Sequence, residues 1–241
     1  VIAKEGIHLE IDGNVELYSY SRENKAQFFA SNIRQVNGTY EFDLNTPDHG
    51  DIHIRLGIPG LINIENAVAA SAASLTAGAD AKELAAALDS FTGIKRRFDH
   101  ISITEDLIYI DDYAHHPEEI IGLLNSVRHM YPGKKIVGVF QPHLYSRTRD
   151  HAEGFAKSLD QLDEVILLPI YPAREKPMPG IESEMILRLM NKTDGIVSEK
   201  KDLIKNLENR EFDILLTIGA GDIDELVEPI KNFVESKKSQ V

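Results

Sequence analysis

Short apolar runs alternate with longer amphipathic segments from residue 94 to the end of the chain, and few folds accommodate this alternation. Six runs have the length and composition of strands: HISIT, LIYID, KIVGVF, EVILLPI, GIVSE and DILLTIG. Helical periodicity lies between and after them, at 117–130, 148–162, 182–190, 202–209 and 224–235. The central runs are apolar throughout, which is typical of strands buried on both faces of a parallel sheet. The pattern predicts a doubly wound α/β domain with right-handed crossovers.

Residues 1–58 have a different pattern of hydropathy, because apolar and polar residues alternate there as they do in half-buried strands. Four such runs are separated by turn-forming residues: IHLEI, VELYSY, TYEFDL and DIHIRL. They predict a small antiparallel sheet. Two helices are predicted next, at 63–79 and 81–91, the second capped by Asp80. We therefore expect a smaller α+β domain over 1–93 and the α/β domain over 94–241.

Composition excludes several functional classes. The chain has 241 residues and no Cys, which excludes thiolate zinc sites, iron–sulfur ligation and cysteine nucleophiles. Its net charge of −13 argues against non-specific binding to nucleic acid or anionic lipid. No stretch has the ~18–20 apolar residues that span a bilayer, so no membrane insertion is predicted. The sequence begins at Val1 without an initiator Met or a secretory signal, so we expect it to be part of a longer protein.

Polar side chains follow four of the predicted strands in the second domain, at the point where each strand ends. The segments are DDYAHHP after LIYI, QPHLYSRTRD after KIVGVF, PIYPAREKPMPG after EVILL, and GAGD after DILLTI. In an open parallel sheet, ligands bind beyond the carboxyl ends of the strands. Four loops rich in His, Arg, Tyr and Asp therefore predict a site for an anionic small molecule at this edge.

The acidic and histidine residues of these loops also have a structural interpretation. Asp111 and Asp112 can be solvated charges at a strand end. His115 and His116 can serve only to begin a helix, because Pro117 suits the first helical position. Two adjacent His do not face one metal ion from a helix, so no metal site is predicted here.

The arginines and glycines are open to two interpretations as well. Arg147 and Arg149 stand near a predicted helix start, where the dipole disfavours cations. This favours a bound carboxylate or phosphate over pairing with Asp150 or Glu153 alone. The Gly219-Ala220-Gly221 segment lacks the third glycine of a dinucleotide-binding loop and favours a tight turn. The Lys95-Arg96-Arg97 run is either a solvated hinge or a phosphate contact.

Taken together, these motifs resemble those of the Mur ligases. The resemblance covers essentially all 241 residues, and its pieces are PGLINIENAVAA, TGIKRRFDH, DDYAHHPEEI, VFQPHLYSRTRD, IYPAREKPMPGI and TIGAGDI. The QPHLYSRTRD and YPAREKPMPG segments are similar to those of the alanine-adding member. A G-x-x-x-x-G-K-[ST] phosphate loop is absent from the sequence.

The resemblance implies an architecture and a reaction. Residues 1–93 correspond to the C-terminal part of the central ATP-binding domain, and 94–241 to a Rossmann-like C-terminal domain. The implied reaction joins UDP-N-acetylmuramate to L-alanine in the bacterial cytoplasm, for peptidoglycan precursor synthesis. ATP phosphorylates the muramoyl carboxylate, and the amine of L-alanine then attacks the acyl phosphate. ATP and Mg²⁺ are the implied cofactors, although the phosphate loop and the Mg²⁺ ligands would lie upstream. The chain alone is therefore expected to be inactive, and a homodimer is one of the oligomeric states left open.

The resemblance also implies roles for individual residues. The implied nucleotide-binding residues are Asn63, Asn66 and Asp112. The implied substrate-binding residues are Tyr113, His143 and Arg147, and the implied catalytic residues are Arg97 and His115. A guanidinium fits both oxygens of a carboxylate, which suits Arg147 as the clamp for the amino acid.

Two departures from the family and two alternative functions stay open. Many family members have His where Ile62 stands and Arg where Leu144 stands, which would remove one adenine contact and one carboxylate contact. The alternatives are the recycling ligase that attaches a tripeptide, and a non-catalytic module that binds a nucleotide sugar or an amino acid. The preference among Ala, Gly and Ser also stays open, because one methyl group discriminates weakly.

Overall fold

The computed structural model describes residues 1–23, 25–104, 106–191 and 194–237. The chain divides into two compact units, Val1–Gly93 and Ile94–Val241, each built around its own sheet. Within the described ranges, every helix is too short or too polar to cross a bilayer.

The first unit contains a five-stranded sheet whose strands lie side by side in chain order. The strands are β1 (Ile2–Lys4), β2 (Tyr18–Ser21), β3 (Phe28–Val36), β4 (Thr39–Thr46) and β5 (Gly50–Arg55). The predicted antiparallel pairing holds for β4 and β5, and β4 also pairs antiparallel with β3. The prediction of a wholly antiparallel sheet is wrong, because β1 with β2 and β2 with β3 pair in parallel. The long connection between β1 and β2 returns the chain to the same end of the sheet, as parallel pairing requires.

Two strand predictions in this unit need correction. The IHLEI run at 7–11 is not a strand, and Ile7 and Leu9 are 55% and 47% exposed. Alternation describes side chains only, whereas a strand also needs a partner for its backbone groups. In contrast, β3 was not predicted, because its apolar start leads into a polar half. A bulge interrupts it between Ser31 and Arg34, and Asn32 has a left-handed φ of 52°.

The two helices of the first unit are α1 (Leu61–Thr76) and α2 (Ala81–Ser90). Asp80 caps α2 as predicted, since its carboxylate accepts from the backbone N of Lys82 at 2.8 Å and of Glu83 at 3.1 Å. The buried residues of α1 recur at helical spacing, and they are Ile64, Ala67, Val68, Ser71, Ala72 and Leu75.

The second unit contains a six-stranded sheet in the order β10-β9-β8-β11-β7-β6. Its strands are β6 (Asp99–Ile103), β7 (Ile108–Asp112), β8 (Ile136–Phe140), β9 (Glu164–Leu167), β10 (Gly195–Val197) and β11 (Ile214–Ile218). All adjacent pairs are parallel except β6 with β7 at the edge. The predicted α/β class with a mostly parallel sheet is confirmed.

Helices cover both faces of this sheet. They are α3 (Pro117–Met130), α4 (Tyr145–Leu159), α5 (Glu184–Leu189), α6 (Leu203–Glu208) and α7 (Val227–Lys237). One face packs on α6 and α7 through a cluster that includes Val137, Val139 and Leu215. On the other face, the ring of Phe140 packs on the ring of Phe155 in α4, with their centroids 5.3 Å apart. Every residue of β8 and β11 is buried, which explains their continuous apolar sequences.

One boundary matters for the site. The predicted helix at 148–162 begins three residues earlier, at Tyr145. Leu144 precedes it with a left-handed φ of 71° and turns the chain into the helix. Arg147 therefore lies in the first turn of α4.

Candidate active site

Four loops meet at the carboxyl edge of the second sheet. The strands β7, β11, β8 and β9 are consecutive and parallel, so their carboxyl ends are adjacent. Backbone hydrogen bonds continue past the strand ends, from Gly219 N to Asp112 O and from Gln141 N to Ile218 O, both at 3.0 Å. A bridge between His143 and Tyr171 joins the loops after β8 and β9. The edge predicted from the sequence is therefore a connected structure.

Asp111 is an internal anchor of this edge. It is 1% exposed, and it accepts from Thr217 Oγ1 at 2.6 Å and from Arg96 Nε at 3.0 Å. Arg96 also donates to the carbonyl of Gly219, so one arginine joins two strand ends. Burial raises the pKa of Asp111, although the bonds from Thr217 and Arg96 oppose this shift. The interpretation of Asp111 as a solvated charge is wrong.

Asp112 binds two backbone amides with its two oxygens. Oδ2 accepts from Phe98 N at 2.7 Å, and Oδ1 accepts from Ala114 N at 2.8 Å. The residue is 9% exposed, and burial raises its pKa to about 6 despite these hydrogen bonds and the nearby Arg97. Asp112 is thus a buried group that fixes the backbone on either side of it.

The guanidinium groups of two consecutive arginines lie near the ring of Tyr113. The guanidinium carbon of Arg96 lies 5.1 Å from the ring centroid and that of Arg97 lies 5.5 Å from it. Arg96 is paired with Asp111, whereas Arg97 is exposed and forms no ion pair with any of the described residues. The two arginines of the RRF motif therefore have different roles, one internal and one open to a ligand.

His115 is held in place at the start of α3. Its Nδ1 lies 3.0 Å from the carbonyl of Tyr113 and 3.3 Å from Glu119 Oε2. The same Glu119 oxygen accepts from the backbone N of His115 at 2.8 Å and of His116 at 3.1 Å. His116 is the cap residue and Pro117 the first helical residue, so the predicted helix-starting role is confirmed.

His143 connects Arg147 to the rest of the site. The centroid of its ring lies 5.6 Å from that of Tyr171, on which it stacks, and 6.3 Å from that of His115. Its Nδ1 lies 3.2 Å from Arg147 Nη1. Burial, followed by the charges of Arg147 and His115, lowers the pKa of His143. Because the ring is kept neutral, Nδ1 can accept from the guanidinium. Arg147 is half-buried and has no carboxylate partner among the described residues.

The amides at the start of α4 are occupied by a carboxylate of the chain itself. Glu175, from the loop after β9, accepts from Ser146 N at 2.9 Å and from the Ser146 hydroxyl. These bonds lower the pKa of Glu175. Arg149 is exposed and pairs with Asp150 at 2.7 Å. Of the two arginines predicted to bind an anion, Arg147 is the one that has no carboxylate partner in the described part of the chain.

The Gly219-Ala220-Gly221 segment forms the predicted tight turn. A Cβ on Gly219 would lie 2.7 Å from the carbonyl oxygen of Gln141, and one on Gly221 would lie 2.4 Å from Gln141 Oε1. The buried Gln141 amide donates to Asp222 Oδ1 at 2.8 Å and accepts from Ile223 N at 2.9 Å. The glycines are needed because the loop after β8 packs directly against this turn.

Asn63 and Asn66 lie in the first unit, one turn apart at the start of α1. Asn63 donates to the carbonyl of Pro59 at 2.5 Å and accepts from Asn66 Nδ2 at 3.3 Å. The structure therefore pairs these two residues with each other. In the second unit it brings together Arg97, Asp112, Tyr113, His115, His143 and Arg147.

Several residues that shape the site were not predicted as site residues. They are Glu119, Tyr171, Glu175 and Thr217. Thr217 carried a signal, because it is one polar residue inside a buried apolar strand. Arg96 was noted only within the Lys95-Arg96-Arg97 run, and its role as the internal partner of Asp111 was missed, since nothing in the run distinguishes it from Arg97. Among the described residues, no group of three His, Asp or Glu is arranged to hold a metal ion.

Family models match both units of the chain. The model described as Mur ligase, glutamate ligase domain matches residues 96–221, which is more than half of the chain. The model described as Mur ligase middle domain matches residues 3–74.

Individual relatives agree with these matches. The chain is 44% identical over 232 residues to a UDP-N-acetylmuramate–L-alanine ligase of Porphyromonas gingivalis, covering 95% of this chain and 51% of the relative. It is 47% identical over 213 residues to the enzyme of the same name from Flavobacterium psychrophilum, covering 88% and 47%. The crystal structure of UDP-N-acetylmuramate-alanine ligase from Thermotoga maritima superposes with a TM-score of 0.73 at 27% identity, covering 93% of this chain and 48% of that one. The chain spans about half the length of the relatives it matches. Both of its units match models of one family, and the chain belongs to the Mur ligases.

Proposed function

We propose that this chain is part of an ATP-dependent ligase that joins L-alanine to UDP-N-acetylmuramate in the bacterial cytoplasm, in peptidoglycan precursor synthesis. Residues 1–93 would be the end of its middle domain and 94–241 its C-terminal domain. Support comes from relatives at 41–47% identity that carry this name. Because those relatives are about twice as long, the activity is assigned to the longer polypeptide.

The observation that carries the proposal is the state of Arg147. This half-buried cation is oriented by His143 at 3.2 Å and has no carboxylate partner among the described residues. A planar guanidinium binds a carboxylate through two parallel hydrogen bonds. We assign the carboxylate of L-alanine to Arg147, with Tyr113 and His143 lining the same site.

His115 is assigned to the amine of L-alanine. The bond of Nδ1 to the carbonyl of Tyr113 at 3.0 Å fixes the tautomer with a proton on Nδ1. Nε2 is then the basic nitrogen, suited to accept a hydrogen bond or a proton from the attacking amine. Arg97, exposed and without a carboxylate partner in the described ranges, is assigned to the charge that develops on phosphate oxygens.

Nucleotide binding is assigned to Asn63, Asn66 and Asp112. A side-chain amide offers both a donor and an acceptor to the edge of adenine, and Asn66 is exposed at the start of α1. Asp112 would meet the ribose with the lone pairs that its two backbone bonds leave. Mg²⁺ would neutralise phosphate charge when bound, and we assign its ligands to the part of the polypeptide that also holds the phosphate loop.

Phosphate release by the full-length ligase tests the proposal. The protein is assayed with ATP, Mg²⁺ and UDP-N-acetylmuramate, and with L-alanine, glycine, L-serine or a tripeptide in turn. Release that depends on L-alanine is the expected result. Release only with the tripeptide would make this the recycling ligase. No release with any acceptor would leave a binding module on the same fold.

A further inference from the structure

The segment before β6 contains two large residues in a left-handed backbone conformation. Arg96 has a φ of 62° and Phe98 a φ of 50°. This region is disfavoured for residues with a Cβ, and bulky residues rarely adopt it. Such strain persists only where surrounding contacts hold the backbone, and it concentrates at functional sites. The residue between the two is Arg97.

Hydrogen bonds hold both flanking residues. Phe98 N donates to Asp112 Oδ2 at 2.7 Å, and the Phe98 side chain is 4% exposed. Arg96 N donates to Asp99 Oδ2 at 3.1 Å, and its carbonyl accepts from Tyr113 N at 2.7 Å. The backbone on each side of Arg97 is therefore fixed by a carboxylate.

Arg97 itself has no ion-pair partner among the described residues. Its side chain is exposed and rests over the Tyr113 ring, while the charge of Arg96 on the same ring is balanced by Asp111. The charges of Asp112 and Glu119 act on Arg97 at longer range, but in the described part of the chain no ion pair or hydrogen bond of the Arg97 side chain holds the strained loop. The strain is explained if the cation serves a ligand.

We propose that Asp112 is a positioning residue for Arg97. By accepting from Phe98 N, it holds the left-handed loop that presents the Arg97 guanidinium to the phosphate oxygens of ATP. This inference rests on the proposed function. It gives Asp112 an effect on the nucleotide that passes through Arg97, in addition to any contact with the ribose.

A double-mutant cycle in the full-length ligase separates these two effects. Asn has one acceptor oxygen, so Asp112→Asn loses one of the two backbone bonds. We expect Asp112→Asn and Arg97→Ala each to raise the KM for ATP about tenfold. Asp112→Asn should raise the KM for ATP less in the Arg97→Ala background than in the unmodified ligase, because part of the effect of Asp112 passes through Arg97. An equal rise in KM in both backgrounds would overturn the proposal, since Asp112 would then act on the nucleotide only directly. The exposed Asp194, changed to Asn, is the matched control and should leave the KM for ATP unchanged.

Amide hydrogen exchange tests the positioning without substrate. Asp112→Ala removes both acceptors, so the Phe98 amide of this chain should exchange about tenfold faster. The Ile110 amide, inside β7, reports whether the fold is intact. If Ile110 loses protection, Asp112→Asn replaces Asp112→Ala, and its KM for ATP should rise only if the Phe98 amide exchanges faster. Unchanged exchange at Phe98 in Asp112→Ala, or a raised KM in Asp112→Asn without faster exchange at Phe98, would overturn the proposal. A failure of the proposed function would appear separately, as no phosphate release by the unmodified ligase.

Discussion

The surroundings of Arg147 indicate a bound anionic ligand more clearly than those of any other residue of the site. It lies in the first turn of α4, where a cation opposes the helix dipole. Its hydrogen-bond partner is the neutral ring of His143 at 3.2 Å, which orients the guanidinium without balancing its charge. The stacking of His143 on Tyr171 holds that ring in turn. A substrate carboxylate would supply the missing charge.

We predict that Arg147→Ala raises the KM for L-alanine in the full-length ligase by about 10–100-fold, the loss of a charge-assisted bidentate pair. The KM for ATP should stay within about twofold. Arg149→Ala is the matched control, because Arg149 is exposed on the same helix and pairs with Asp150. Steady-state kinetics with each substrate varied would measure this. Unchanged alanine kinetics in Arg147→Ala would remove this residue from the clamp.

Asp112 should titrate far from an ordinary carboxyl. Burial raises its pKa from 3.8 to about 6, so the folded state holds this proton more tightly than the unfolded state does. The protonated Asp112 side chain therefore stabilises the fold at a pH below its pKa in the unfolded chain. This stabilisation is lost as the pH rises through about 6. Relative to Asp112→Asn, the unmodified chain should lose on the order of 2–3 kcal/mol of unfolding free energy between pH 4 and pH 7. Carboxyl NMR titration checks the midpoint directly, and a midpoint below 4 would contradict the assignment.

At the scale of elements, the turn after β11 locks two loops together. Gly219 has a φ of 145°, and a Cβ there would lie 2.7 Å from the Gln141 carbonyl. Gln141 cannot move aside, because its side chain binds Asp222 and Ile223. The turn therefore fixes where the loop after β8, which carries His143, leaves the sheet.

We expect Gly219→Ala to lower the free energy of unfolding by about 2 kcal/mol or more, through a backbone clash and strain at positive φ. Gly122→Ala is the control, because Gly122 lies inside α3 and a Cβ there would meet nothing within 4 Å. That change should raise the stability by about 0.5–1 kcal/mol. Urea denaturation of both variants measures the difference, and equal stabilities would show that the turn tolerates a side chain.

Strands that are buried on both faces were predicted well from the sequence. Strands whose existence depends on pairing with a particular neighbouring strand were not. The runs that became β8 and β11 are apolar throughout, because every residue of these strands is buried. The run at 7–11 alternates between apolar and polar residues as regularly as the runs that became β4 and β5, yet no strand forms there. The same limit applies to side chains. Family motifs indicated Arg147 and His143, but only the fold shows that Arg96 is paired with Asp111 while Arg97 has no ion pair in the described ranges.

At the scale of the whole molecule, the chain holds two units that match two parts of one family. The phosphate loop that ATP needs is absent from its 241 residues. We predict that the 241-residue chain alone shows no phosphate release above background with ATP, Mg²⁺, UDP-N-acetylmuramate and L-alanine. The full-length ligase, assayed in parallel, should show it. Release by the chain alone within about tenfold of the full-length rate would mean that the chain binds ATP phosphates by other groups.

The carboxylate of Glu175 closes the start of α4 to free anions. A helix terminus with open amides attracts any phosphate or sulfate, without regard to what the anion is attached to. Here those amides are bonded to Glu175, with Ser146 N at 2.9 Å from it. Inorganic phosphate would leave the proposed reaction at every turnover, and the Ser146 amide, already bonded to Glu175, would not bind it. We therefore expect this amide not to delay the release of phosphate.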